Sequence, residues 1–355
     1  MKLPISISKK VLSIDFGAYE MKVVEGKFSK KNITIYKNLS IKIPEGLYLN
    51  GEILDNEQLS YIIKNVLKEN KVSTELVYGI VNSSSIITRE IIIPKVSDEE
   101  IEGILSFQIN DYIPVNPESY VVKYKFLSTF YEDNVEKLHL LLIGIPKTIV
   151  ENHFNLLKEI GLKPIILDYQ GNAVSKLLGF NTKINETYPI KDMTIACIDM
   201  GFNNTKITIG KNSLLQVSRV VEIGGKYIDQ NIINILDCSI DELEEKKKSI
   251  VDINEQNEEC TDYNRLVNIT RNSLESLMER IEIVFRYYKT REIGNEINLV
   301  LLHGGLSNIK EVDNLFSNYF NIPCINMSLL DKIDFNDNLL KYANCIGGLI
   351  RMDEV

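Results

Sequence analysis

IACIDMGFNNTKITIG, residues 195–210, repeats a pattern met near the start of the chain, VLSIDFGAYEMKVVEG at residues 11–26. The two stretches align without a gap, at the 184-position offset that separates Asp15 from Asp199. Ile14, Asp15, Gly17, Lys22 and Gly26 meet Ile198, Asp199, Gly201, Lys206 and Gly210. Each copy is an apolar run, then Asp-x-Gly, then a run that alternates polar and apolar residues. That is the pattern of a strand, a tight loop and a returning strand. Gly17 and Gly201 leave the loop backbone bare for the close approach of a ligand. Asp15 and Asp199 stand at the loop entrances, two carboxylates able to face one cation. A single Asp-x-Gly hairpin is common in β proteins. Two in one register indicate a duplicated domain with a site between the halves.

Size and charge agree with that reading. A chain of 355 residues is long for one core and comfortable for two domains. Apolar residues make up 44% and charged residues 25%, as in ordinary globular proteins. The net charge of −9, with no basic block, argues against nucleic acid as a partner. No apolar run approaches the roughly 20 residues of a membrane-spanning helix, and the opening MKLPISISKK lacks the apolar core of a signal peptide. Cys197, Cys238, Cys260, Cys324 and Cys345 are scattered, as expected of reduced thiols in a cytoplasmic protein.

Between the hairpins, residues 33–43 alternate as a third strand. Residues 54–70 place Leu59, Ile62, Ile63, Val66 and Leu67 on one helical face, and residues 76–81 read as a buried strand. Residues 86–164 have another texture and are expected to form an inserted module. In it, a strand closed by Pro94 leads to a helix that starts with a Ser97–Glu100 capping box and ends at Pro114. Two more strands and a second helix, residues 147–160, complete it. No metal or nucleophile constellation appears there, and His139 and His153 read as structural. Residues 168–179 form a short helix. In the second half, Gly224-Gly225 follows a strand and opens a helix, where free backbone N–H groups suit a phosphate or its ribose neighbourhood. A capped, solvated helix follows from Ser239, and then a long packed helix over residues 265–290. INLVLLHGGL, residues 297–306, again runs a buried strand into a glycine pair, with Ser307 capping a helix over residues 309–320. Gly347-Gly348 sits inside a C-terminal helix, at a cost of roughly 1 kcal/mol for each glycine that close packing or a hinge would offset. The chain has no GxGxxG, no Gly-x4-Gly-Lys-Ser/Thr and no GxSxG motif.

Two Asp-x-Gly hairpins followed by a strand, Gly-Gly and a helix resemble the two phosphate motifs and the adenosine motif of the actin-like ATPase superfamily. That superfamily includes actin, the heat-shock chaperone ATPases, hexokinase-like sugar kinases and the division protein FtsA. The likeness spans nearly the whole chain. REIIIPKVSDEEIEGILSFQINDYIP, residues 89–114, is similar to the hallmark segment of the PilM family of type IV pilus assembly, with Asn110-Asp111 in place of the usual Glu-Ala. The fold implied is α/β, with duplicated actin-like (ribonuclease H-like) ATPase domains and a small inserted α+β module called 1C. The expected domains are residues 1–85 with 165–190, to which residues 340–355 return; the module, 86–164; and a second domain, 191–339.

The resemblance also implies a cofactor, ATP with Mg²⁺, and roles for single residues. Asp15 and Asp199 would hold the metal through water. Gly17 and Lys22 would meet the β- and γ-phosphates from one side, Gly201 and Thr205 from the other. Gly304 and Gly305 would approach the α-phosphate and ribose, with Gly225 nearby. Glu244 and Lys247 would border the adenosine, although Leu243 stands where the family motif has alanine. Gln170 falls at the position of actin's water-orienting glutamine. The partner implied is the cytoplasmic N-terminal tail of a PilN-type inner-membrane protein, held between the first domain (1A) and the module. The pilus assembly ATPase is a further candidate partner. The protein would then be a cytoplasmic scaffold, recruited to the membrane through its partner without inserting into lipid, and at most a slow ATPase. An FtsA-like division protein or filament-forming actin is the rival reading, but no basic amphipathic tail closes the sequence. A sugar kinase of the same fold is a third, and it would need a carboxylate base beside an acceptor hydroxyl.

Overall fold

The computed structural model describes residues 10–351 except 114–115 and 257–259. The first nine residues, Pro114 as the helix end, and the last part of the 340–355 expectation therefore lie outside the described residues, as does the Asn110 side chain.

Two sheets carry the two hairpins. The first runs in the order Lys163–Tyr169, Leu76–Val81, Val11–Asp15, Glu20–Phe28, Ile33–Lys42, Ile333–Asp334. The second runs Leu214–Val221, Thr205–Lys211, Thr194–Met200, Leu299–His303, Cys324–Asn326. In each, the aspartate strand pairs antiparallel with its hairpin partner and parallel with the strand on its other side. The registers coincide: Asp15 faces Lys22, and Asp199 faces Lys206. Both aspartate strands are buried on both faces, which explains their nearly unbroken apolar sequence.

Alternate residues of these strands enter different cores, because successive side chains point to opposite faces. Leu12 and Ile14 pack under α1 (Asn56–Glu69) and α3 (Lys147–Glu159). Ala196 and Ile198 pack under α5 (Gly225–Leu236) and α7 (Thr261–Arg291). Val11 and Val24 of one sheet and Ile195 and Cys197 of the other share a third core, filled by α4 (Gln170–Phe180) and α9 (Leu339–Gly348). Among the remaining helices, α6 (Ile240–Ser249) and α8 (Val312–Phe320) belong to the second half.

The inserted module is a three-stranded antiparallel sheet, Ile87–Pro94, Val135–Pro146, Tyr120–Glu132, with α2 (Asp98–Tyr112) on one face. Its own core is Ile91, Ile93, Ile101, Leu105, Leu138, Leu140 and Leu142. The Ser97–Glu100 capping box forms as the sequence predicts.

The structure redraws several boundaries. Helix α3, assigned to the module by sequence, packs Ile149, Leu156 and Leu157 against Leu59 and Ile63 in the first domain. Its helical stripe shows that it covers a sheet, but a stripe cannot say which one. Strand Lys163–Tyr169 escaped notice because Pro164 opens it and it runs directly into α4; a sheet edge tolerates that proline. Ile333–Asp334 returns to the first sheet beside Ile33–Thr34, so the second domain does not run unbroken to residue 339. Ser307 caps no helix: Gly305–Asn308 is a 3-10 turn, Ser307 Oγ donates to the Gly304 carbonyl at 2.6 Å, and α8 starts only at Val312.

The glycine pair in α9 is explained by packing. A Cβ on Gly347 would lie 2.2 Å from the Ala173 carbonyl oxygen of α4. Gly347→Ala should therefore destabilise the protein by about 1–3 kcal/mol, a few degrees in melting temperature. Helix propensity alone would make it more stable by about 1 kcal/mol. Calorimetry decides between the two signs, and a raised melting temperature would refute the close-packing account.

Candidate functional site

The two Asp-x-Gly loops open onto one cleft of about 350 Å³, within the size range of small-molecule sites. Asp15 and Asp199 meet there at a single amide: Asn344 Nδ2 of α9 donates to Asp199 Oδ2 at 2.8 Å and to Asp15 Oδ2 at 3.3 Å. Gln170 Nε2, at the start of α4, donates to Asp15 Oδ1 at 2.8 Å. Burial raises the Asp15 pKa; Lys22 opposes that shift, Asp199 adds to it, and the two amides lower it. His303 is buried with Nδ1 at 3.8 Å from Asp199 Oδ1, and its Nε2 has no hydrogen-bond partner. Burial holds the imidazole below its usual pKa despite the two aspartates.

The glycines fit this geometry. A Cβ on Gly17 would lie 2.5 Å from the Glu20 carbonyl oxygen and 3.7 Å from Lys22 Nζ, which places the lysine amine against the first loop. Gly304 has φ +90°, and a Cβ there would lie 2.5 Å from Asp199 Oδ1. Glycine is therefore required where the third loop crosses the second aspartate. At the far end of the cleft, Lys247 Nζ bridges Asp229 Oδ1 at 3.0 Å and Glu244 Oε1 at 2.8 Å. Across the mouth, the Tyr19 and Phe202 rings lie 4.7 Å apart, and Lys226 pairs with Glu45 at 2.6 Å.

Of the residues expected at a site, Asp15, Gly17, Lys22, Gln170, Asp199, Gly201, Gly225, Glu244, Lys247, Gly304 and Gly305 all line this cleft. Thr205 does not. It is fully buried and its hydroxyl donates to the Ile223 carbonyl at 2.8 Å. Gly225 lines the cleft without offering a free donor, because its N–H is bonded to the Gly201 carbonyl at 3.0 Å. The glycine pair clamps the start of α5 onto the second loop, and the reading of open N–H groups is corrected accordingly. Sequence reasoning missed Asn344, His303 and Asp229. Asn344 had a signal, being an amide on the otherwise apolar buried face of its helix.

The chemistry suits a hydrated divalent cation. A buried carboxylate, Asp15, and a partly buried one, Asp199, share one amide donor, and a cation would relieve their repulsion. Among the described residues, no three His, Cys, Asp or Glu side chains converge as a metal cluster. A cation here would complete its shell with water and ligand oxygens, as Mg²⁺ does.

Duplicated hairpin sheets around a two-helix layer, with paired aspartates in the cleft, define a protein of the actin-like ATPase fold. Residues 13–343 match the family model of type IV pilus assembly protein PilM, and the chain belongs to that family. The fold is similar to a chain of a PilM–PilN type IV pilus biogenesis complex, with TM-score 0.79 and 19% identity over 97% of this chain and 100% of that one. It is also similar to ethanolamine utilization protein EutJ from Carboxydothermus hydrogenoformans, with TM-score 0.56 and 11% identity over 97% and 91% of the two chains. MreB5 of Spiroplasma citri bound to ADP gives TM-score 0.53 and 14% identity over 96% and 94%. None of the curated proteins compared matches the chain by sequence.

One histidine supports the first loop from beneath. His153 is fully buried, with its ring edge-on to Phe16 at 4.6 Å, Nε2 at 3.1 Å from the Tyr48 hydroxyl and Nδ1 at 2.7 Å from the Ile149 carbonyl. Burial lowers its pKa from 6.5 to about 4. The unfolded chain therefore takes up this proton first. Its contribution is complete above about pH 6.5 and is lost as the pH falls toward 4, about 3 kcal/mol in all. His153→Gln keeps hydrogen-bonding capacity without the titration. Denaturant melts at pH 7 and pH 4.5 should show a loss smaller by about 2–3 kcal/mol in the variant, and equal losses would refute this.

Proposed function

We propose that this protein is a nucleotide-binding scaffold of the type IV pilus machine that takes MgATP in the cleft and a PilN-type tail beside the module. The observation that carries the nucleotide part is the meeting of Asp15 and Asp199, from two duplicated hairpins, at Asn344. Asp15 and Asp199 would hold Mg²⁺ through water. Gly17, Lys22 and Gly201 would face the β- and γ-phosphates, and Gly304 and Gly305 the α-phosphate and ribose. Glu244 and Lys247, joined by Asp229, would border the nucleoside. When bound, Mg²⁺ supplies neutralising charge for the phosphates.

The same geometry points to slow turnover. Gln170 is held by Asp15 and can orient water, but an amide is neither acid nor base. A kinase would need a carboxylate base beside an acceptor hydroxyl; Asp15 and Asp199 are tied to the Asn344 amide and assigned to the cation, which favours a conformational switch.

The partner rests on the family and on the similar PilM–PilN complex. A short tail can lie along a strand edge between the first domain and the module, its backbone hydrogen-bonded and its apolar side chains in pockets. Ordering such a tail costs entropy, which sets the affinity near micromolar. No helix among the described residues is long and apolar enough to cross a membrane, so recruitment to the cytoplasmic face would come through this partner.

Three measurements test the proposal. MgATP at about 100-fold its Kd should stabilise the fold by roughly 2.7 kcal/mol. Asp199→Ala should lose that shift while remaining folded, and a wild type without any shift at millimolar MgATP refutes nucleotide binding. Steady-state hydrolysis by the isolated protein should stay below about 1 per second; faster turnover favours a true ATPase or kinase. A synthetic PilN-type tail should bind and, if it adds to the module's edge strand, protect Ile87–Pro94 from hydrogen exchange. Absence of binding, with concentration-dependent self-assembly instead, overturns the peptide-receptor reading in favour of a polymer.

A further inference from the structure

Behind the cleft lies a second cavity of about 290 Å³, where the first sheet, the module and strand Leu214–Val221 meet. Its lining includes two cations, Lys206 and Arg219, and no carboxylate. Hydroxyl residues, among them Ser83, Thr88, Tyr169 and Ser218, share the wall with the apolar Ile86, Ile87 and Val220. Lys206 is 4% exposed, and its Nζ donates to Asn82 Oδ1 at 3.3 Å and lies 4.8 Å from the centre of the Tyr169 ring. Asp199, Asp15 and Asp168 act on this ammonium through space, but among the described residues none forms an ion pair with it. The Tyr169 hydroxyl is buried without any hydrogen-bond partner.

These groups share one unmet need. An ammonium has three donors, and a long bond to Asn82 occupies one of them. A buried hydroxyl proton without an acceptor is costly. Arg219 is exposed, spends one N–H on the Ser218 carbonyl at 2.9 Å and holds its guanidinium 5.6 Å from the centre of the Tyr287 ring, with further N–H donors in its fork. Two positive charges and surplus donors call for a ligand rich in acceptors and negative in charge, and charge-assisted bonds to an oxyanion meet both demands. Asn82 separates this cavity from the cleft: its Oδ1 accepts from Lys206, and its Nδ2 donates to Asn204 Oδ1 at 2.9 Å. Asn82 and Asn204 line the first cavity, and Lys206 and Arg219 line the second.

We propose that this rear cavity is an oxyanion site, separate from the nucleotide cleft, in which Lys206 and Arg219 bind a phosphate or carboxylate group. The volume exceeds that of one oxyanion, so bridging waters or the carrier of the group share the space. Phosphate free in solution and a carboxylate presented by a protein partner have the same recognition chemistry, and the experiment separates them.

Inorganic phosphate is titrated into the full chain by calorimetry, with saturating MgADP filling the first cleft. Saturable binding at about millimolar affinity or tighter is expected. Arg219→Gln, at an exposed residue, should weaken it at least about tenfold. Lys206→Met should abolish it. Acetate that displaces phosphate at comparable concentration identifies a carboxylate-type carrier; phosphate that resists acetate identifies a phosphate site. No saturable binding up to about 10 mM, a weak limit on the affinity scale, overturns the proposal. So does binding indifferent to Arg219→Gln, or binding seen only when the first cleft is empty. If MgADP itself fails to bind, the nucleotide reading falls, while the Arg219 comparison still decides this one.

Discussion

Asp15 and Asp199 belong to different sheets, carry like charge and are drawn together at the floor of one cleft. Left alone, the two carboxylates would push the halves apart. Asn344 resists this by donating to both, and Gln170 adds a second donor to Asp15. An amide can do this only at a fixed depth, within about 3 Å of both acceptors. The depth is set by the packing of α9. Gly347 lets the helix descend onto the α4 backbone, and Gly348 lets it rest on Ile80 and Ser13. Residues with no polar chemistry of their own thus determine where the polar site can exist.

The helical layer also distributes strength through the molecule. Helices α4 and α9 are buried between both sheets and join them in one core. The contacts across the mouth are of another kind: the Lys226–Glu45 pair is exposed, and Tyr19 is partly open to solvent. Exposed ion pairs contribute little, about 0–1 kcal/mol, whereas each buried apolar side chain in the layer contributes roughly 1.5–3 kcal/mol. Opening the cleft breaks the weak set, and separating the halves would break the strong one. A two-domain protein built this way can change its cleft without losing its fold, as a nucleotide-responsive scaffold requires.

The duplication was legible because it is local and gapless: a strand, a tight loop and a returning strand keep their spacing whatever surrounds them. The same alignment held a warning about Thr205. At the common offset its counterpart is Met21, a fully buried apolar residue, so on a strand of period two Thr205 also faces the core. Resemblance to a motif outweighed periodicity there, and periodicity was right. Contacts between distant segments were not legible. Asn344 reaches the aspartates from the end of the chain, and α3 crosses from the module to the first domain. Neither fact follows from spacing, since both depend on which surfaces meet. The Gly224-Gly225 pair shows a third limit. Sequence marked a place where the backbone comes close to something, and that something proved to be the second loop itself.

The two hairpins are equal in register but not in surroundings, and the asymmetry lies in their lysines. Lys22 and Lys206 occupy the same position opposite their aspartates. Lys22 reaches the open cleft, while Lys206 is enclosed behind it between Asn82 and Tyr169. Burial lowers the Lys206 amine to about 8, against the pull of Asp199, Asp15 and Asp168. For a lysine this shift opposes folding: the cost is complete below about pH 8 and is relieved as the pH rises toward the unfolded value near 10.5. On the usual conversion it amounts to about 3 kcal/mol at neutral pH. An apolar residue of similar length would avoid that cost in a strand whose other face carries Ile207 and Ile209. A buried ammonium with one long hydrogen bond, beside an orphaned hydroxyl and a second cation, is accounted for by a ligand.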